Sequence, residues 1–225
     1  GAALNPEISR FFRGLGVGIL QGYGQTEASP VISVNRPGSA RAETVGPALP
    51  EVEVRLTDEG ELLVRGENVM RGYWQDPKAT EATIRNGWLY TGDLAEIDPD
   101  GHIRIVGRLK DLIVNSGGDN IAPAPIEQEI TIYPEVDQVI VVGDGKPSLS
   151  ALMCLSSEFE TADHDATIAS VLKRYNSNKP PLLQVRKGLL LNEPCTIENG
   201  LLTPTQKIKR SLVVKHYQEA IDALY

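Results

Sequence analysis

An α+β fold in two parts is what this sequence predicts, and three observations carry that expectation. Two hairpin signatures, each a pair of extended runs around an Asp/Gly-containing turn, fall within the first 106 residues. Apolar strand-like runs alternating with helical patterns fill the rest. The two styles meet at Gly107-Arg108. The expected organisation is therefore a strand-rich portion over 1–106 and a small α+β portion over 107–225, and 225 residues suit one large domain or two small ones.

The elements follow in order. Ile8, Phe11, Phe12 and Leu15 keep helical i, i+3, i+4, i+7 spacing and predict a helix near 6–15. A strand is expected over Val17–Gln21, another over Glu51–Leu56, a turn at Thr57-Asp58-Glu59-Gly60 and a return strand over Glu61–Arg65. A short helix is expected over Pro77–Arg85. Leu94–Ile97, the turn Asp98-Pro99-Asp100-Gly101 and Ile103–Val106 form the second hairpin. Leu109–Val114 reads as a strand, and 123–132 as a helix with Pro125 in its first turn. Val136–Val142, Leu149–Leu155 and Val185–Leu191 read as strands, and Ala166–Tyr175 as a helix. A closing helix from Ser211 is expected to bury Val214, Tyr217, Ile221 and Leu224. The helix and strand so close to Gly1 give the expectation of a cut through a larger domain.

Bulk properties narrow the function classes. The net charge of -8 argues against a general nucleic-acid binder, but an ATP site needs only local donors. The 41% hydrophobic content suffices for a substantial core, and no apolar run approaches a membrane-spanning length. Nothing in the composition opposes peripheral membrane contact, yet no amphipathic basic helix argues for it. Cys154 and Cys195 have no metal spacing and read as reduced thiols of a cytoplasmic protein. The three histidines are scattered and receive no metal or catalytic role.

Four segments carry the chemistry, and each admits a plainer reading. In Gln21-Gly22-Tyr23-Gly24-Gln25-Thr26-Glu27, the glycines permit close backbone approach and unusual φ, and Tyr23 offers a flat face to a purine. Thr26 can reach a phosphate and Glu27 can hold Mg²⁺; the alternative is a simple glycine turn. In Tyr90-Thr91-Gly92-Asp93, a carboxylate after a tight glycine turn matches the two hydroxyls of a ribose, or merely stabilises the turn. In the segment from Gly107 to Pro123, Arg108 supplies a fork of donors and Ser116-Gly117-Gly118 a bare loop; the alternative is a solvated linker. Between Asn199 and Arg210 an Asn-Gly turn precedes a basic cluster in which Lys207 can meet a carboxylate or phosphate, or simply face solvent.

In this order the four segments resemble the adenylate-forming superfamily of acyl-CoA synthetases, luciferases and peptide-synthetase adenylation domains. Tyr-Gly-x-Thr-Glu at 23–27, Thr-Gly-Asp at 91–93, Gly-Arg-x-Lys-Asp at 107–111 and the terminal lysine at 207 are the matching motifs. The resemblance covers essentially the whole chain. The runs 117–123 and 202–210 look more like the long-chain fatty acyl branch. It implies the strand-rich end of the large AMP-binding domain, followed by a small mobile domain.

The resemblance also implies roles. Gly22, Tyr23 and Gly24 line the adenine pocket with Gln25 beside them, Thr26 contacts the α-phosphate, and Glu27 ligates Mg²⁺. Asp93 holds the ribose hydroxyls with help from Arg108, and Lys110 is the hinge, within 108–111. Lys207 serves the adenylation step, and Ser116, Gly117 and Gly118 border the coenzyme A channel after the small domain swings. The implied substrates are ATP, a fatty acid and coenzyme A, with no partner protein evident. Gln206 stands where many members have Gly, and Val114 where some have a second lysine. The family's phosphate loop ending in Pro-Lys-Gly does not occur in these residues, so the chain alone is expected to be inactive. The alternatives are another acid-CoA or carrier-protein ligase of the superfamily, or a non-catalytic nucleotide-binding fragment.

Overall fold

The computed structural model describes residues 4–159 and 163–225. It is α+β, and the chain divides into two compact units, one ending at Lys110 and the other comprising Asp111–Tyr225.

The first unit opens with α1, Pro6–Gly14, started by Pro6 in its first turn and by the Asn5 side chain, which accepts the Glu7 N–H at 2.8 Å. The helix is placed as expected, but its burial is not. Phe11 is 63% and Leu15 65% exposed, and Ser9 is its buried residue. Ile8 and Phe12, the other two residues of the stripe, are also exposed, at 42% and 38%. Val17–Gln21 is likewise not a strand: regular pairing begins only at β1, Gly22–Tyr23, against β2, Ser33–Val34. An extended apolar run becomes a strand only where a neighbouring backbone takes its N–H and C=O groups.

The rest of the unit is an antiparallel sheet. Its strands are β3 Glu53–Leu56, β4 Glu61–Arg65, β5 Ile84–Arg85, β6 Trp88–Ile97 and β7 Ile103–Arg108. The order runs β3-β4-β6, and β5 and β7 share the far edge of β6. The helix α2, Pro77–Thr83, is capped by Asp76, which accepts the Ala79 N–H at 2.9 Å. It stops short of the expected Arg85 because Ile84 and Arg85 are drawn into β5. Leu62, Val64, Leu89, Ala95 and Ile103 form the core with Ala28 and Ile32. Trp88 is flanked by the guanidinium groups of Arg55 and Arg65, 4.2 and 4.7 Å from its ring centre.

In the second unit, Leu109–Val114 is not the single strand expected. Leu109–Asp111 is a 3₁₀ turn spanning the unit boundary, and only Ile113–Val114 (β8) pairs, with Asn120–Ile121 (β9). Then come α3 Pro123–Ile130, β10 Val136–Val142, β11 Leu149–Leu155, α4 His164–Asn176 and β12 Val185–Leu190. β10 pairs antiparallel with β11, and β11 parallel with β12, the parallel pair joined through α4. Side chains alternate across this sheet. Val139, Val141, Ala151 and Met153 meet α3 and α4 on one face. Ile140, Val142 and Leu152 meet Leu191, Leu201, Val213 and Ile221 on the other. Both faces are covered, which is why these strands read as unbroken apolar runs.

The closing helix is two helices, α5 Arg210–His216 and α6 Gln218–Ala223. Tyr217, at φ -103° and ψ 18°, leaves helical geometry between them, and Val213 replaces Val214 as the buried residue of the first. Among the described residues, no helix is long and apolar enough to cross a membrane; Cys154 is half-buried and Cys195 buried.

Candidate functional site

Three of the residues singled out in the sequence meet in the first unit. The Tyr23 hydroxyl donates to Oδ2 of Asp93, and Arg108 Nε donates to Oδ1 of the same carboxylate at 2.7 Å. β6 and β7 set the second contact, because Asp93 and Arg108 are directly paired across the sheet. β1 sets the first by bringing Tyr23 against the core beneath. Burial first, and then the Asp93 carboxylate, push the Tyr23 phenol far above its ordinary pKa, so it remains a donor. Asp93 is 7% exposed and holds one donor on each oxygen among these contacts. Each carboxylate oxygen has acceptor capacity for another, which is what a vicinal diol needs.

The Thr91-Gly92-Asp93 segment is not a turn between strands, as expected, but an irregularity inside the ten-residue β6. Gly92 has φ +70°, a conformation open to glycine, and its N–H is taken by Glu61 Oε1 at 2.8 Å. Thr91 donates to the Leu62 carbonyl at 2.7 Å and accepts the Asp93 N–H at 3.1 Å. These bonds fix where the carboxylate points.

Of the two uses expected for the glycines of the Gln21–Glu27 segment, close backbone approach is found and unusual φ is not. Neither Gly22 nor Gly24 takes positive φ. Gly24 is required by close approach: a Cβ there would lie 1.7 Å from the Pro30 carbonyl oxygen. Thr26 then opens a 3₁₀ turn to Ala28, and Gln25 precedes it in extended backbone. Glu27 is held by Tyr73, whose hydroxyl donates to Oε1 at 2.8 Å.

A cleft of about 750 Å³ in this unit is lined by Gln25, Glu27, Glu61, Tyr73, Arg108 and Lys110, among others. Glu61 and Tyr73 were not anticipated. The available signal for Glu61 was a carboxylate directly before the apolar run Leu62-Leu63-Val64 of its strand. Among the described residues no group of three or more metal-ligating side chains occurs. The donor set at Glu27 nevertheless fits Mg²⁺, which is held by one or two carboxylates together with substrate phosphates.

The second unit carries the other two sets. Ser116, Gly117 and Gly118 form the exposed tip of the β8–β9 hairpin. Asn115 Oδ1 accepts the Gly117 and Asp119 N–H groups at 2.9 Å each, and Ser116 N–H reaches the Lys146 carbonyl at 2.9 Å. Lys207 lies in a narrow loop closed by the Leu202–Ile208 bridge. Its N–H is taken by Thr203 Oγ1 at 3.0 Å and its carbonyl by Thr203 N–H at 2.8 Å. Its side chain is exposed. Gln206 has φ +60°, the left-handed region that favours glycine.

Comparison with known proteins follows the same two parts. Residues 1–74 match the family described as AMP-binding enzyme, and residues 110–225 match the AMP-binding enzyme C-terminal domain. The long-chain-fatty-acid–CoA ligase FadD15 of Mycobacterium bovis is 36% identical, over 100% of this chain and 41% of its own length. The long-chain-fatty-acid–[acyl-carrier-protein] ligase AEE15 of Arabidopsis thaliana is 32% identical, over 100% of this chain and 35% of its own. Among solved structures, the o-succinylbenzoate coenzyme A synthetase of Bacillus subtilis in complex with AMP superposes with a TM-score of 0.78 at 27% identity, covering 94% of this chain and 44% of that one. The chain thus spans well under half the length of the relatives it matches.

Proposed function

We propose, for a chain that belongs to the AMP-binding enzyme family, that the whole protein is an ATP-dependent fatty acyl-CoA synthetase. These residues would supply the nucleotide-facing end of its large domain and its small domain. The observation that carries this reading is the Tyr23–Asp93–Arg108 cluster, a buried carboxylate preset at the edge of a cleft. The identity to FadD15 supports a fatty acid as the substrate.

In this reading the ribose hydroxyls donate to Asp93, and Arg108 holds that carboxylate in place. The backbone around Gly22–Gly24 and the Tyr23 ring border the adenine, with Gln25 beside it. Thr26 reaches the α-phosphate. Glu27 would hold Mg²⁺, which supplies charge neutralisation at the phosphates when bound. Lys207 offers its ammonium to the developing negative charge as the fatty carboxylate attacks the α-phosphorus and pyrophosphate leaves. For the second half-reaction the small domain reorients about Lys110, and the Ser116-Gly117-Gly118 loop borders the pantetheine arm. The coenzyme A thiol attacks the acyl carbon and AMP leaves. Two compact units meeting at Lys110 and Asp111, each with its own core, suit such a movement. The identity to AEE15 favours one second reading, in which a carrier protein's pantetheine thiol replaces coenzyme A.

The test is Asp93→Asn in the whole protein, read as fatty-acid-dependent ATP–pyrophosphate exchange. Hydrogen bonds to a charged group contribute about 1.5–3 kcal/mol, so the KM for ATP should rise about tenfold or more. An unchanged KM in a protein that melts normally would remove Asp93 from the nucleotide site. Thioester formation with coenzyme A against a carrier protein decides the acceptor.

A further inference from the structure

Three residues before α5 lies Lys207, and at the start of α5 lies a side chain that the proposed chemistry does not use. Arg210 Nη1 donates to the Val141 carbonyl at 2.7 Å, and Nη2 donates to Glu127 Oε1. Glu127 Oε1 also accepts the Val141 N–H at 2.7 Å. Val141 belongs to β10, an edge strand of its sheet. Its N–H and C=O are therefore satisfied by two side chains, where a further strand would otherwise bond. The pair is largely buried, at 19% and 18% side-chain exposure. Burial raises the Glu127 carboxyl pKa, against the opposing pull of Arg210 and the Val141 N–H; Asp111, the first residue of this unit, adds a like charge.

The clip reaches the lysine through few intermediates. Lys209 N–H bonds the Leu201 carbonyl at 2.8 Å, and Leu202 bridges Ile208, so the loop is a ribbon whose base is Leu201–Lys209. Lys209 offers no side-chain cap to α5. The fixed point immediately after the ribbon is Arg210, tied to α3 through Glu127 and to β10 through Val141.

We infer that Arg210, gripped by Glu127 and the Val141 backbone, is a positioning residue that sets the base of the Lys207 loop for the adenylation step. This rests on the reading of Lys207 given above. A guanidinium fork can bond a carbonyl and a carboxylate together, and an ammonium group cannot reproduce that geometry. Small misplacements of a reacting group are felt strongly: about 1 Å can lower a rate by about a hundredfold.

The test uses two variants of the whole protein, Arg210→Lys and Glu127→Gln, with three readouts. Amide hydrogen exchange at Gln206 and Lys207 reports the loop itself. Pyrophosphate exchange reports adenylation, and thioester formation from supplied acyl-AMP reports the second half-reaction. The expected result is faster exchange in the loop, adenylation lowered about tenfold or more, and the thioester step held within about twofold. Glu127→Gln, which keeps an acceptor for Val141, should be the milder of the two. Equal loss in both half-reactions, or a loosened loop with adenylation intact, would overturn the proposal. Unchanged loop exchange in both variants would overturn it as well. A Lys207→Ala protein that adenylates normally would overturn the functional reading, while the exchange data would still report on the clip.

Discussion

At the scale of single residues, the Tyr23–Asp93–Arg108 cluster is governed by one buried carboxylate and the donors that hold it. Tyr23 is the part that makes the cluster sensitive to alkaline pH. Its phenol pKa is raised in the folded chain above the ordinary 10.0, by burial first and by Asp93 second. A raised pKa contributes stability that is complete below the unfolded value and is lost as pH rises towards the folded one. The melting temperature should therefore fall above about pH 10, and Tyr23→Phe should flatten that fall while lowering stability at pH 7. Tyr175, also raised by burial, shares the alkaline loss, so the comparison with the variant is the informative quantity. An identical alkaline slope in both proteins would remove the Tyr23–Asp93 bond from the account. Motifs made Tyr23, Asp93 and Arg108 legible in the sequence. The bond between the first two, 70 positions apart, was not, and neither was the Glu127–Arg210 clip, 83 apart. Such pairs leave no local pattern, because folding alone brings them together.

Elements were legible where burial and pairing agree with local pattern. β10 and β11 have the bounds expected of them, since an apolar strand covered on both faces is an unbroken apolar run with turns at its ends. Misreadings arose where a partner decides the outcome. Val17–Gln21 has strand-like composition without a strand to pair with, and Ile84–Arg85 follows a helix but is claimed by β6. The break at Tyr217 interrupts a helical stripe that the residue spacing alone continues. The packed sheet of the second unit predicts a large effect of truncation at its centre. Met153, fully buried on the middle strand, should on replacement by Ala lower stability by about 2–5 kcal/mol in denaturant unfolding. Val114→Ala, at a 43% exposed site, should change it by less than about 0.5 kcal/mol. Similar effects at the two sites would contradict the packing described for β11.

At the scale of the whole molecule, the account places two independently cored units on either side of Lys110. The 3₁₀ turn Leu109–Asp111 is short and polar at its centre, the type of connection that absorbs rotation with few apolar contacts disturbed. Limited trypsin digestion should cut near 107–111 and release a folded C-terminal piece; preferential cutting within 120–200 would mean that the boundary lies elsewhere. The central claim is that the second unit delivers Lys207 to acyl-adenylate formation and a different surface to thioester formation. Its most direct test is Lys207→Ala in the whole protein, with the two half-reactions measured separately. The account predicts that adenylation falls by about a hundredfold or more, as on removal of one charge-stabilising donor, while thioester formation from supplied acyl-AMP persists near its original rate. Equal loss of both half-reactions, or loss of neither, would contradict it.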